Sequence, residues 1–317
     1  MNRMAIRWLM LTIAFITNCN LAGAQDETLV FTPQWTAQAQ FAGYYVAEAK
    51  GFYREAGVKV RIEHPSATQP AMSRLRKNEC QATTLQVCQA MEIIDGGIPL
   101  VNILQTSMNS GLTIISRNGE DPLKLEKARV ASFRAGFGLM ARSLAAIQNL
   151  DYELVTTASM VNLFTAGAVD ATLAMSFDEY YKLLQTGLVS PGRGIYRFEE
   201  GEYNIQEDGV YVTRAFYEAH REACEGFARA SRRGWEWVSE HREEALDLVM
   251  RYVKEHRIAT NRTLQQLMLD EVLRLQQDRD SGVREFRLRR DMVEKANDTM
   301  LRAGILIGPV TYEELMP

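Results

Sequence analysis

Cysteine is scarce in this chain. Its 317 residues include 4 cysteines, one of which, Cys19, sits in an N-terminal segment with the marks of a removable leader. The other three, Cys80, Cys88 and Cys224, are an odd set without metal-ligand spacing. That excludes a disulfide framework and a zinc cluster of the Cys-x-x-Cys kind. A Cys80–Cys88 bridge stays open in an oxidising compartment, but the two are expected on a strand and the helix after it, which disfavours it. Histidine is equally sparse, with 4 residues. His220, His241 and His256 lie among Arg and Glu in helical C-terminal patterns, where a solvated ring is the ordinary outcome, and His64 stands alone. There is no H-E-x-x-H, G-x-S-x-G, Walker loop or G-x-G-x-x-G. The pairs Glu199-Glu200 and Glu243-Glu244 read as surface charge. The chain therefore reads as a non-enzyme with no cofactor and no metal.

Excess positive charge is also lacking. Lys and Arg total 36 against 40 Asp and Glu, a net charge of -4. Removing the leader takes Arg3 and Arg7 away and leaves -4 minus 2, or -6. A mildly acidic chain is a poor partner for nucleic acid, and Arg284, Arg287, Arg289 and Arg290 are interleaved with Glu285 and Asp291 as on a solvated face. Long apolar runs are confined to the first 24 residues. There Arg3 and Arg7 precede the apolar stretch Trp8 to Ile16, and Ala22-Gly23-Ala24 offers a cleavage site before Gln25, the pattern of a secretory signal too short to anchor. Ile16-Thr17-Asn18 lacks the small apolar residues expected before a lipidated cysteine, so cleavage after Ala24 is expected and the mature chain is expected to be exported and soluble.

What is present is ordinary globular composition, 46% hydrophobic and 24% charged, at a length sufficient for two domains. The organising stretch is Phe31 to Ile62. An apolar run ending at Phe31 reads as a strand, and a loop with Gln34, Trp35, Gln38 and Gln40 follows it. A helical pattern covers about Phe41 to Ala56, with Gly57 as its cap, and Val58 to Ile62 alternates as a second strand. This is a β-loop-α-β unit. Ligands of parallel α/β sheets sit beyond the carboxyl ends of the strands, where this loop lies. Equally, its aromatics fit an ordinary core.

Further β-α alternation follows. Cys80–Leu85, Leu100–Gln105 and Thr113–Ser116 read as strands of a parallel sheet, and Asn118 to Pro122 reads as a break. A second series begins at Ala128, with strands at Ala128–Phe133, Tyr152–Val155 and Ala171–Met175, each followed by a helix. From Arg214 to His256 the chain reads as almost continuously helical, with two more helices at Thr263–Leu275 and Arg290–Ala303. The expected organisation is an α/β chain of two lobes: residues 25–117 with 210–317 as the first and 118–209 as the second. Linkers near Ser116–Glu120 and Glu207–Tyr211 would form a hinge over an interlobe cleft. Four loops at strand ends suit a flat polar molecule: Trp35 to Tyr45, Asn109-Ser110-Gly111, Gly136-Phe137-Gly138, and Ser176 to Tyr180. Simpler roles are open for some of these, since Asp178 suits an N-cap and Gly136 and Gly138 suit a turn.

The segments QWTAQAQFAGYYVAEAKGFYREAGVKV, PLVNILQTSMNSGLTIISR, VASFRAGFG, DATLAMSFDEYYKLL, EDGVYVTRAFYEAH and GWEWVSEHREEALDLV, collinear over nearly all of the mature chain, resemble the NMT1/THI5-like (SsuA/THI5-like) solute-binding proteins. That family includes the pyrimidine-precursor binding subunits of thiamine-related ABC importers. The resemblance implies the type II periplasmic-binding-protein fold, a periplasmic monomer, a small-molecule ligand and a membrane permease as partner. It implies a ligand set of Trp35, Gln40, Phe41, Tyr44, Asn109, Phe137, Gly138, Glu179 and Tyr180, in which Trp35 stacks and Glu179 accepts the N–H groups of an aminopyrimidine. Burial would raise the pKa of Glu179 while the ligand's donors favour its charged form. Ala37 and Phe41 stand where pyrimidine binders carry a proline and a polar residue, and the stretch from Cys80 to Met91 lacks the family's usual glycine and acid. The cysteine-rich motif of the related pyrimidine synthases is missing, which argues against an enzyme. A sulfonate, nitrate or other nitrogen compound is the alternative ligand, with Arg134 as its one candidate cation, and a ligand sensor for a membrane kinase is the alternative role.

Overall fold

The structure, a computed structural model, describes residues 28–66, 68–134 and 136–317. The expected leader and its cleavage after Ala24 lie outside the described residues. The first sheet begins with β1 (Leu29–Thr32), wholly buried because both its faces are covered. The expected helix from Phe41 to Ala56 is broken in two. A 3-10 turn at Ala39–Phe41 leads into α1 (Ala42–Ala49), and α2 (Phe52–Glu55) follows. Gly51 between them takes φ 77, the left-handed region that ends a helix at little cost for glycine. Then come β2 (Val60–Ile62), α3 (Ala71–Arg76), β3 (Ala82–Gln86), α4 (Val87–Asp95) and β4 (Leu100–Gln105).

The next strand, β5 (Leu112–Ser116), corrects the expected lobe boundary. It pairs antiparallel with two strands of the second sheet, so the first crossing falls before Leu112 and not at Ser116–Glu120. The turn at Asn118–Pro122, with Gly119 at φ 73, lies within the second lobe. The actual crossing at Thr106–Gly111 looks like a surface loop in sequence, yet Thr106, Ser107, Asn109 and Ser110 are all buried. The second lobe continues with β6 (Ala128–Ser132), α5 (Leu139–Ile147), β7 (Tyr152–Thr156), α6 (Met160–Thr165), β8 (Ala171–Met175), α7 (Glu179–Gln185) and β9 (Ile195–Arg197), and β10 (Asp208–Thr213) returns to the first sheet. The orders are β2-β1-β3-β10-β4 and β7-β6-β8-β5-β9. Neither sheet is purely parallel, as alternation alone suggested: β10 runs antiparallel to β3 and β4, and β5 antiparallel to β8 and β9.

The stretch expected to be one long helix divides into α8 (Arg214–Ala219), α9 (Arg221–Glu240) and α10 (Arg242–Glu255), with breaks at His220 and His241, whose φ values are -134 and -131. The chain ends with α11 (Arg262–Leu275), α12 (Arg290–Arg302) and α13 (Tyr312–Leu315). Among the described residues no helix is long and apolar enough to cross a membrane. α9 lies across α1 at a crossing set by two glycines. A Cβ on Gly234 would stand 2.0 Å from the Gly43 carbonyl oxygen, and one on Gly43 would stand 2.3 Å from the Trp235 ring. That close crossing drives Tyr44 into the core, 4.7 Å from Phe31 and 5.9 Å from Trp235 between ring centroids. α12 packs on α5, bringing the C-terminal helices of the first lobe against the second.

Candidate functional site

The carboxyl ends of β1, β3, β6 and β8 converge on a cavity between the two sheets. Gln34, Trp35, Gln38, Gln40 and Gln86 line one side; Phe133, Phe137, Met175, Phe177, Asp178 and Glu179 line the other. Trp35 meets Phe137 edge to face across the cleft at 5.5 Å between centroids. The cavity volume is about 30 Å³, room for a water and not for a ring, so the lobes stand closed on a narrow aromatic slot.

The polar wall of the first lobe is a connected chain of amides. Asp208, at the start of β10, accepts from Gln34 Nε2 at 2.9 Å and from Gln40 Nε2 at 2.5 Å. Gln40 Oε1 in turn accepts from Gln38 Nε2 at 2.7 Å. An ionised carboxylate only accepts, so it turns both amide nitrogens inward and fixes which end of each glutamine is left over. The end left over on Gln34 is Oε1, buried and unpaired within the protein. Burial pushes the Asp208 carboxyl up from its usual range, and the two amide donors pull it back. The loop itself is held from behind. His64 Nδ1 lies 2.7 Å from the Trp35 carbonyl oxygen and His64 Nε2 2.8 Å from the Tyr45 hydroxyl. A carbonyl can only accept, so Nδ1 carries the proton and Nε2 accepts from Tyr45. Burial holds the His64 pKa down, to about 4.

On the opposite wall Glu179 opens α7, and its Oε2 accepts from the Met175 backbone N–H at 3.0 Å. Burial first, and then the neighbouring Asp178 carboxylate, raise its pKa to about 7, against the pull of the Met175 N–H. Asp178 stands at the N-cap position, but its side chain makes no cap hydrogen bond. It pairs with Lys182, one turn along, at 2.7 Å. None of the lining residues is a lysine or arginine. The slot is thus aromatic on its faces and rich in acceptors on its edges, which favours a flat molecule that brings N–H groups and no negative charge.

Of the residues expected to bind ligand, Trp35, Gln40, Phe137 and Glu179 line this cavity. The other five do not. Phe41 is buried with its ring 5.7 Å from His64, and Tyr44 lies in the core under α9, because the first turn of α1 faces that helix. Asn109 holds the Gln277 carbonyl at 2.7 Å and lines a deeper cavity. Gly138 packs on β8, where a Cβ would come within 2.8 Å of Leu173. Tyr180 is buried with the Arg197 guanidinium over its ring at 5.0 Å. Arg134, the candidate cation for an anionic ligand, is exposed and does not line the cavity. Gln86 and Phe133 were missed, although both stand at or just after the carboxyl end of a strand, the rule that found Trp35. Asp208 carried no comparable local signal.

Comparison with known proteins follows the same outline. The family model described as NMT1/THI5 like matches residues 38–245. A formylaminopyrimidine-binding protein of Halalkalibacterium halodurans is 24% identical over 267 residues, 76% of this chain and 77% of that protein. Among solved structures, the periplasmic aliphatic sulphonate binding protein SsuA of Escherichia coli superposes with TM-score 0.66 at 14% identity, covering 92% of this chain and 97% of that one. A Candida albicans protein described as having the generic periplasmic binding protein fold matches with TM-score 0.61 at 15% identity, over 90% and 92% of the two chains. At these identities the structural likeness establishes the fold. The two mixed sheets with flanking helices are the periplasmic-binding-protein fold, and the chain belongs to the NMT1/THI5-like family.

Proposed function

We propose that this protein is the exported, periplasmic solute-binding component of an ABC importer, that it captures a small N–H-bearing heteroaromatic of the pyrimidine type between its lobes, and that it hands this ligand to a membrane permease. One observation carries the reading. The cavity wall joins Trp35, Phe137 and Phe177 to the buried Glu179 carboxyl and the unpaired Gln34 Oε1, with no lysine or arginine among the lining residues. An aminopyrimidine offers π-faces to the aromatics and an exocyclic N–H to the carboxylate. A sulfonate or nitrate would bring negative charge to a wall that holds Glu179 and an Asp178 already paired with Lys182, with no lining lysine or arginine to offset it. Because the closed slot has room only for a water, ligand entry requires the sheets to part about the crossings at 106–111 and 198–207, the hinge motion of a two-lobed binder.

The relative from Halalkalibacterium halodurans, named for formylaminopyrimidine, supports this ligand class. The test is to purify the protein without refolding, denature it, and identify the released small molecule by mass spectrometry. Recovery of a nitrogen heteroaromatic in near-stoichiometric amount is the expected result. Recovery of a sulfonate or another anion would overturn the ligand class and leave the fold and family untouched.

A further inference from the structure

A second, smaller cavity lies behind the cleft, between β4, β10 and α11. It has a volume of about 20 Å³ and shares Gln40 and Phe177 with the cleft. Those two side chains form the partition between the compartments. Most polar groups on the inner wall are already engaged. Asp208 holds Gln34 and Gln40, Glu207 holds the Ser110 hydroxyl at 2.7 Å and the Gly111 N–H at 2.8 Å, and Thr106 donates to the Asp208 carbonyl at 2.9 Å.

Gln276 is different. It follows α11, its backbone N–H closing that helix on the Val272 carbonyl. Its side chain is 2% exposed and lines the chamber, with both Nε2 and Oε1 unpaired within the protein. A buried amide with both ends unpaired is costly to leave so, and its position asks for a partner that can donate and accept at once. A group the size of a water satisfies both demands in a chamber this small. A hydroxyl fits. A carboxylate or phosphate does not, because the chamber holds only a water-sized group and Asp208 stands on its wall.

We infer that this chamber is an inner specificity pocket, and that Gln276 there receives a hydroxyl-sized polar substituent of the ligand, passed between Gln40 and Phe177. The inference rests on the reading of the cleft as a heteroaromatic site and adds what that reading lacks, a reason to distinguish one ring-bearing solute from another. Trp35, Phe137 and Glu179 recognise the ring. Gln276 recognises what hangs from it. A site that hydrogen-bonds a hydroxyl rejects the analogue lacking it, because its own polar atoms are then left unpaired.

The test is a pair of calorimetric titrations with 4-amino-5-hydroxymethyl-2-methylpyrimidine and 4-amino-2,5-dimethylpyrimidine, which differ by one hydroxyl. The native protein is expected to bind the hydroxylated probe about ten-fold or more tightly than the other, the ratio that one well-made hydrogen bond supplies. In Gln276→Leu the two affinities are expected to converge. Gln276→Met, unbranched and similarly apolar, serves as the second variant should the branched side chain fit poorly. Equal affinity of the two probes for the native protein, or a preference that survives in both variants, would overturn the inner pocket and leave the ring reading standing. Failure of the native protein to bind either probe would overturn the ring reading, and the inner pocket with it.

Discussion

Glu207 offers the sharpest physical test of the hinge region. It lies at the return crossing to the first sheet, fully buried, and its two oxygens take the Ser110 hydroxyl and the Gly111 N–H of the outgoing crossing. The two linkers are thereby tied through one carboxyl. Burial dominates over those two donors and raises its pKa from 4.5 to about 8. The sign follows from linkage. A carboxyl whose pKa is raised by folding adds stability that is fully present below the unfolded value and is lost as pH rises through the folded value. Between pH 4.5 and about 8 the folded protein holds a proton on Glu207 that the unfolded chain has released, and the Glu207 contribution to stability falls by about 1.4 kcal/mol per pH unit as pH rises. The whole interval sets a ceiling of about 5 kcal/mol, part of which local relaxation returns. Glu207→Gln keeps the shape and behaves as the permanently protonated form: its oxygen accepts from Gly111 and its amide donates to the Ser110 oxygen. The useful window is pH 6.5 to 8.5. Below it the depressed His64 contributes, and above it the buried thiols, raised to about 11 for Cys80 and about 12 for Cys224, stay protonated while those of the unfolded chain titrate. Urea denaturation across that window is expected to show the native protein losing about 2 kcal/mol more than Glu207→Gln. Parallel curves for the two proteins would refute the assignment of a buried, protonated Glu207 to the hinge.

Three further outcomes follow from the same geometry. Gly234→Ala drives a Cβ into the Gly43 carbonyl at the α1–α9 crossing, and thermal melting is expected to show a loss of about 3 kcal/mol. Asp208→Asn leaves only one acceptor for the amides of Gln34 and Gln40, so one glutamine must turn its oxygen inward and present N–H to the cleft. Ligand affinity is expected to fall at least about ten-fold by calorimetry, with melting moved little because a buried charge has also gone. His64, held down to about 4 by burial, leaves the folded state short of a proton that the unfolded chain binds below about pH 6.5. His64 by itself therefore removes about 1.4 kcal/mol of stability per pH unit on acidification from 6.5 towards 4, opposite in sign to the Glu207 contribution over the same range. Relative to the native protein, a His64→Phe variant is expected to gain that amount per pH unit on acidification, and parallel curves for the two in urea titrations would count against the assignment.

How much of this was legible in sequence varies with how local each feature is. β4 and β8 were read to the residue because LVNILQ and ATLAM are buried apolar runs bounded by polar turns. Trp35 and Glu179 line the cavity because their segments stand at strand carboxyl ends; the strand-end rule reaches both segments, and the family resemblance singles out Glu179 within its own. Tyr44 was misplaced because local spacing does not say which face of α1 meets α9, a fact decided by Gly43 and Gly234 some two hundred positions apart, and Phe41 because it packs on His64, beyond β2. The lobe boundary was misread because the buried crossing at 106–111 has the polar composition of a surface loop, and its backbone and side-chain polar groups are satisfied by partners such as Asn204 and Glu207. The orientation of Gln34 depends on Asp208, a contact made only once β10 has returned to the first sheet.

The central claim is that the acceptor-rich aromatic slot holds a donor-bearing heteroaromatic ring. Its most direct test is calorimetry at pH 8, above the Glu179 pKa of about 7, with formylaminopyrimidine, nitrate and methanesulfonate as titrants against the native protein, Glu179→Gln and Arg134→Ala. The account expects tight one-to-one binding of the pyrimidine alone, weakened about a hundred-fold in Glu179→Gln, where a charge-assisted hydrogen bond is lost, and unchanged in Arg134→Ala. Binding of nitrate or methanesulfonate that disappears in Arg134→Ala, with no heat from the pyrimidine, would contradict it.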